Sequence, residues 1–314
     1  MDIVLCADEG YLDKAAAVMA SVLCHSRHPG ELRFHLLGHG ITDASRTSLE
    51  TWFEMLPATI HVADTQEASS GRWERLNLGR FGPAAMQRLS MEHWLPAGTR
   101  RVVYLDCDVL VLEDISTLME IDMLQSPIAA VMNLQNGPGQ RLGIPYTRYF
   151  NSGVLLIDIE RWKARDVIHN AEKQLTAEPS STWRYPDQDA LNLIFPDWHP
   201  LPLRWNMQPY AYAAVEKQAV HYAEWRQEML EAISRPAVVH FIGATKPWHS
   251  ASHHPLTPLF REYLRLTPWP LTLEGPRNSW FKQVLRAPKI WRRRRQLRHS
   301  PVLSLPTNGP ERDQ

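Results

Sequence analysis

Cysteine is scarce in this chain of 314 residues: Cys6, Cys24 and Cys107 show neither paired nor Cys-x-x-Cys spacing. That supports no disulfide framework and no zinc site, and points to a reducing compartment. No apolar run approaches the roughly 20 residues a helix needs to cross a bilayer. The start runs from Met1 straight into Ile3-Val4-Leu5 without a basic leader segment, so the expectation is a soluble or peripheral protein. A Gly-x-Gly-x-x-Gly after the first strand is also missing. Where that dinucleotide fingerprint would stand the chain reads Ala7-Asp8-Glu9-Gly10-Tyr11, so a nucleotide would have to be held by side chains and a metal.

Net charge is absent as well, but only as a sum. From Asn278 onward there are nine Lys/Arg against two Asp/Glu, so a body of −7 carries a tail of +7. With 44% hydrophobic and 22% charged residues, the chain is globular and long enough for one large domain or two small ones.

Strand and helix alternate from the start. Ile3 to Ala7 predicts a strand, and Leu12, Ala15, Ala16, Met19, Val22 and Leu23 recur on one helical face. Leu32 to Leu37 predicts a second strand, Asp43 to Phe53 a second helix and Ile60 to Val62 a third strand, together a βαβαβ nucleotide-binding half. Pro83 to Trp94 predicts a helix, followed by strands at Val102, at Ile128 to Met132 and at Gly153 to Ile157. Ile159 to Leu175 reads as helical, and Val238 to Phe241 as a late strand.

The most informative stretch is Val102-Val103-Tyr104-Leu105-Asp106-Cys107-Asp108-Val109-Leu110-Val111. Unpaired carboxylates inside a core strand would cost several kcal/mol each, so the strand must end at Asp106 and open onto something cationic. Two carboxylates from one turn suit a hard divalent ion, Mg²⁺ or Mn²⁺, with positions left for diphosphate oxygens. Asp-x-Asp also arises in ordinary solvated turns.

Four stretches in order resemble glycosyltransferase family 8, the retaining enzymes that include bacterial lipopolysaccharide galactosyl- and glucosyltransferases. They are Ile3 to Asp8, Tyr104 to Leu110, Phe150-Asn151-Ser152-Gly153-Val154-Leu155-Leu156, and His240-Phe241-Ile242-Gly243-Ala244-Thr245-Lys246-Pro247-Trp248. Asp187-Gln188-Asp189-Ala190-Leu191-Asn192 fits too, and the resemblance spans roughly Met1 to Trp248. It implies an α/β GT-A fold with a Rossmann-like half and mixed central sheet over residues 1–270, a UDP-glucose or UDP-galactose donor, and Mn²⁺, with Mg²⁺ as the alternative.

By the same resemblance Asp106, Asp108 and His240 would bind the metal, and Lys246 would neutralise charge on the departing diphosphate. Gly243 would allow close backbone approach. Ala7 and Asp8 would meet the uridine, although Asp8 is equally placed to cap the helix after it. Relatives often carry an amide where Gly10 stands. Arg88 would reach the donor sugar or its phosphates, against its alternative as an exposed helical arginine. Asn151, Asp187, Gln188 and Asp189 would surround the sugar. Retention normally calls for a carboxylate nucleophile; Gln188 occupies that face, so a front-face transfer through an oxocarbenium-like ion pair is expected. Structurally, Asp187 and Asp189 also suit a helix start.

Beyond Pro288 the character changes. Trp280, Phe281, Ile290 and Trp291, interleaved with eight Lys/Arg between Lys282 and Arg298, read as an interfacial anchor over 278–299 for anionic lipid, with 300–314 unstructured. No nucleic-acid motif accompanies the arginines. The expectation is a cytoplasmic enzyme, peripheral on the inner face of the membrane, acting on a lipid-linked saccharide. Thr65 to Gly82 and Gln135 to Arg148 would form the acceptor wall. Two rivals remain: a non-catalytic nucleotide- or glycan-binding module and an Asp-nucleophile phosphatase. Intact Asp106, Asp108, Gln188, His240 and Lys246 argue against the first, and the further motifs the second would need are not clear in the chain.

Overall fold

The computed structural model describes residues 1–66, 73, 83–135, 137–179, 182–275, 287–288 and 290–295. Its strands in chain order are β1 (Asp2–Asp8), β2 (Arg33–His39), β3 (Thr59–Asp64), β4 (Arg101–Leu105), β5 (Val109–Val111), β6 (Ile128–Met132), β7 (Phe150–Asp158), β8 (His199–Pro200) and β9 (Val238–His240). The helices of eight or more residues are α1 (Leu12–His25), α2 (Asp43–Glu54), α3 (Val167–Ala177), α4 (Pro186–Ile194), α5 (Pro209–Glu216), α6 (Arg226–Ser234) and α7 (Thr257–Arg265). The chain packs as two units. The first comprises Met1–Ala15, Gly30–Cys107 and Ser116–Leu201; the second comprises Ala16–Pro29, Asp108–Ile115 and the chain from Pro202 onward.

The first unit is built on a seven-stranded sheet of order β3-β2-β1-β4-β7-β6-β8. β1, β2, β3 and β4 run parallel, in agreement with the βαβαβ expectation, whereas β7 is antiparallel to both β4 and β6. The sheet is therefore mixed. β7 is buried along almost its whole length, from Phe150 to Ile157, as a strand covered on both faces must be.

Two predicted helices differ. Pro83 to Trp94 forms one α-turn (Pro83–Met86) and then a 3₁₀ segment (Gln87–His93). Gln87, Arg88 and Leu89 are all buried there, which an amphipathic α-helix with one solvent face would not permit. Ile159 to Leu175 is broken into Ile159–Lys163 and α3, because Asp166 takes a left-handed backbone with φ 41°. Neither Gly nor Pro marks that break in the sequence.

The second unit pairs β5 with β9 antiparallel, Val109 opposite His240. Around them Phe241, Trp248, His254 and Phe260 form edge and tilted ring contacts at 4.7–5.6 Å. Such pairs add about 0.5–1.5 kcal/mol each beyond area burial. Of the basic segment, Arg293 is described in detail: its guanidinium lies 4.6 Å over the Tyr212 ring and grips Glu216 through Nε at 2.9 Å and Nη2 at 3.2 Å. Trp280 and Phe281 of the expected anchor fall outside the described residues, as does 300–314. Among the described residues no helix is long and apolar enough to cross a membrane.

Candidate active site

In the first unit β4 ends at Leu105, and Asp106 is held by its backbone N–H donating to Gly153 O at 2.9 Å. Its side chain turns toward a buried cation. Arg88 Nη2 donates to Asp106 Oδ1 at 2.7 Å, and its Nε stands 3.2 Å from Asp187 Oδ2. Arg88 also donates to the Ser152 carbonyl and hydroxyl at 3.2 Å, and its guanidinium lies 4.5 Å from the centroid of the Tyr104 ring. Burial works against the Arg88 charge, but Asp106, Tyr104 and Asp187 outweigh it and hold the guanidinium well above its usual pKa. Asp187 is shifted up by burial, which Arg88 only partly offsets. The exposed-arginine alternative is thus set aside.

The Gln188 carboxamide sits in the same network. Its Oε1 accepts from Asn151 Nδ2 at 3.1 Å, from the Ser152 N–H at 3.0 Å and from the Ser152 hydroxyl at 3.4 Å. Its Nε2 donates to the Tyr149 hydroxyl at 3.0 Å, and that hydroxyl donates to Asp189 Oδ1 at 2.5 Å. Asp189 is fully buried and accepts the Arg184 and Tyr185 N–H groups on Oδ2 at 2.9 and 3.0 Å. Burial raises the Asp189 pKa; Tyr149 and the two N–H groups draw it back in part. Pro186 opens α4 and Asp187 and Asp189 lie in its first turn, so the helix-start role coexists with this network.

Ala7 and Asp8 close β1, opposite Gly38 and His39. Asp8 makes no side-chain cap bond to the turn that follows. A neighbouring link ties this strand to the carboxylate turn: Cys107 Sγ donates to Cys6 O at 3.1 Å.

In the second unit, strand pairing places Asp108 beside His240, and the Phe241 N–H donates to Asp108 O at 2.9 Å. His240 Nε2 lies 3.1 Å from Asp108 Oδ1, while His240 Nδ1 meets Asn206 Oδ1 at 3.0 Å. Lys246 Nζ pairs with Asp108 Oδ2 and donates to Phe241 O at 3.1 Å. Burial pushes the Asp108 carboxyl up, but Lys246 and His240 overcome it and hold it well below the carboxylate range. The chain reaches Lys246 through Gly243, whose φ of +114° is open to glycine and strained for other residues.

Cys107 alone separates the two aspartates along the chain, and one donor atom from each of Asp106, Asp108 and His240 falls within 4.8 Å of the others. This is a possible metal site, and its residues fit a divalent ion. Asn206 Oδ1 meets Nδ1 of His240, which leaves Nε2, on the side of Asp108 Oδ1, as the ring nitrogen that would take a metal. Carboxylate oxygens with one imidazole suit Mn²⁺.

Sequence reasoning missed Tyr149, Tyr104, Asn206 and Arg141, whose Nη2 stands 3.6 Å from Asp189 Oδ2. The one signal available was position: Tyr104 and Tyr149 belong to or directly precede two of the ordered stretches.

The Glycosyl transferase family 8 model matches residues 2–252, and the chain belongs to that family. It is 30% identical over 275 residues to General stress protein A of Bacillus subtilis (strain 168), covering 86% of this chain and 94% of the relative. It is 26% identical over 275 residues to a lipopolysaccharide 1,2-glucosyltransferase of Escherichia coli (strain K12), covering 83% and 77% respectively. A crystal structure of the galactosyltransferase LgtC in complex with donor and acceptor sugar analogs superposes with a TM-score of 0.74 at 26% identity, covering 86% of this chain and 97% of that one. The α/β GT-A expectation therefore stands.

Proposed function

We propose that the protein is a retaining hexosyltransferase that moves glucose or galactose from a UDP-sugar to a saccharide acceptor. The observation that carries this reading is the donor cluster of Asp106, Asp108 and His240 with Lys246 paired to Asp108. Those residues would hold Mn²⁺, with Mg²⁺ as the alternative, and the ion when bound supplies positive charge to a diphosphate. Lys246 adds a second positive charge for the departing UDP. Ala7, Asp8 and Gly243 would receive the nucleotide, and Arg88, Asn151, Asp187, Gln188 and Asp189 would order the sugar side.

Asp187 faces Arg88 and Asp189 is enclosed by Tyr149 and two backbone N–H groups. Neither carboxylate is poised as a nucleophile, which favours front-face transfer with the acceptor's proton passing to UDP. The names of relatives that act on lipopolysaccharide favour a lipid-linked acceptor. The basic segment then supplies peripheral attachment to an anionic membrane, and residues 1–270 supply catalysis.

The test is UDP release by the purified protein over a panel of UDP-sugars, with Mn²⁺ and with EDTA. Release from one sugar that requires Mn²⁺ and vanishes in Asp108→Asn supports the reading and names the donor. Binding of UDP by calorimetry without turnover of any UDP-sugar would favour a non-catalytic module. Hydrolysis of phosphomonoesters would favour the phosphatase.

A further inference from the structure

We propose that Tyr149 is a positioning residue that fixes which edge of the Gln188 carboxamide is offered to the donor sugar. The inference rests on the transferase reading for its catalytic meaning, but its structural part stands on four hydrogen bonds. Asp189 accepts two backbone N–H donors on Oδ2, and a backbone N–H cannot reverse its role. The Tyr149 hydroxyl donates its single hydrogen to the other oxygen, Oδ1, at 2.5 Å. The Tyr149 oxygen is left with lone pairs, which accept Gln188 Nε2 at 3.0 Å.

The other end of the amide is fixed independently. The Ser152 backbone N–H donates at 3.0 Å to Gln188 Oε1, another donor that cannot reverse. Flipping the carboxamide would set Nε2 against the Ser152 N–H and Oε1 against the Tyr149 lone pairs, and two buried bonds would become repulsions. Gln188 Oε1 is consumed by three donors, so the group left to face a sugar is the second Nε2 hydrogen. Gln188 consequently meets a sugar oxygen as a donor; its carbonyl is withheld from the positive anomeric carbon.

The same tyrosine is braced from the side expected to form the acceptor wall. A Cβ on Gly139 would stand 2.8 Å from Tyr149 Cβ and 3.0 Å from its Cγ, so only glycine allows that turn to lie against the ring. Arg141, two residues on, reaches Asp189 at 3.6 Å. Displacement of this turn would be felt at Gln188 through Tyr149.

The experiment compares the parent protein with Tyr149→Phe and Gly139→Ala, using ¹⁵N-glutamine labelling to follow the Gln188 amide. In the parent, one Nε2 hydrogen is expected in nuclear Overhauser contact with the Tyr149 ring. In Tyr149→Phe the Nε2 hydrogens are expected to exchange about tenfold faster, and kcat to fall about tenfold while UDP affinity stays within about twofold. Gly139→Ala keeps the hydroxyl but moves the ring, and the same split is expected. An unchanged kcat in Tyr149→Phe overturns the proposal, as does a fall in UDP affinity equal to the fall in kcat. Should Tyr149→Phe not fold, the parent spectrum decides: no contact between Gln188 Nε2 and the Tyr149 ring overturns it. If the parent transfers no sugar at all, the functional reading fails while the amide measurement still tests the geometry.

Discussion

Arg88 and Tyr104 converge on one oxygen: both donate to Oδ1 of Asp106, at 2.7 and 2.9 Å. Oδ1 is thereby engaged by two donors at once. Replacing Arg88 by Met would leave Asp106 and Asp187 without their buried counter-charge, a loss of about 3 kcal/mol. Urea unfolding should show it as a lower midpoint at unchanged slope. A stability within about 0.5 kcal/mol of the parent would mean that solvent already screens the pair.

Asn206 has no expected part in sugar chemistry, yet it meets His240 at Nδ1. Asn206→Ala should weaken Mn²⁺ binding about tenfold, the usual cost of losing such a partner. Titration of free Mn²⁺ by electron paramagnetic resonance reads this without turnover. Equal affinity in parent and variant would remove Asn206 from the metal centre.

Gly243→Ala isolates a backbone effect. No atom lies within 4 Å of the Cβ it would add, so sterics with neighbours contribute nothing and the φ of +114° contributes all of the strain. A destabilisation of about 1–2 kcal/mol is expected by thermal unfolding. A neutral substitution would show that the segment shifts to a relaxed conformation.

His254 gives the pH dependence its clearest contribution. Among the described residues its buried Nε2 has no partner, while Nδ1 accepts the Leu256 N–H at 3.2 Å. Burial, with the Arg293 and His253 charges added, pushes its pKa down to about 3. The unfolded chain therefore binds a proton that the folded chain refuses, and stability is complete above about pH 6.5 and is lost as pH falls toward 3. His254→Asn keeps an acceptor for Leu256 and cannot titrate. Its stability should decline less than the parent's between pH 7 and pH 4.5, by about 2 kcal/mol. Parallel curves would refute the assignment.

What the sequence disclosed was what violates a pattern. Asp106 and Asp108 stood out because carboxylates interrupt an apolar run, and the β1 to β3 strands were legible from alternation with amphipathic helices. Arg88 came through the resemblance alone: as a helical arginine its alternative was an exposed one, and the 3₁₀ turn that buries three consecutive residues turns it inward. Tyr149 carried no signal beyond its position next to an ordered stretch, since an aromatic before a core strand is ordinary packing. Its importance lies in which of its neighbours can donate and which can only accept, a property of partners far away in sequence. The break at Asp166 was invisible because a left-handed aspartate has no compositional mark.

The arginine run from Arg292 to Arg295 looks like four charges presented to the outside. Arg293 is clamped to Glu216 and laid on Tyr212, and Arg294 Nε donates to Pro255 O at 3.3 Å. Half of the run is thus committed to the protein's own surface, and one of those charges is already neutralised by a carboxylate. If each basic residue not paired with a carboxylate would contribute about 1 kcal/mol at an anionic surface, this run would act there as three charges, not four.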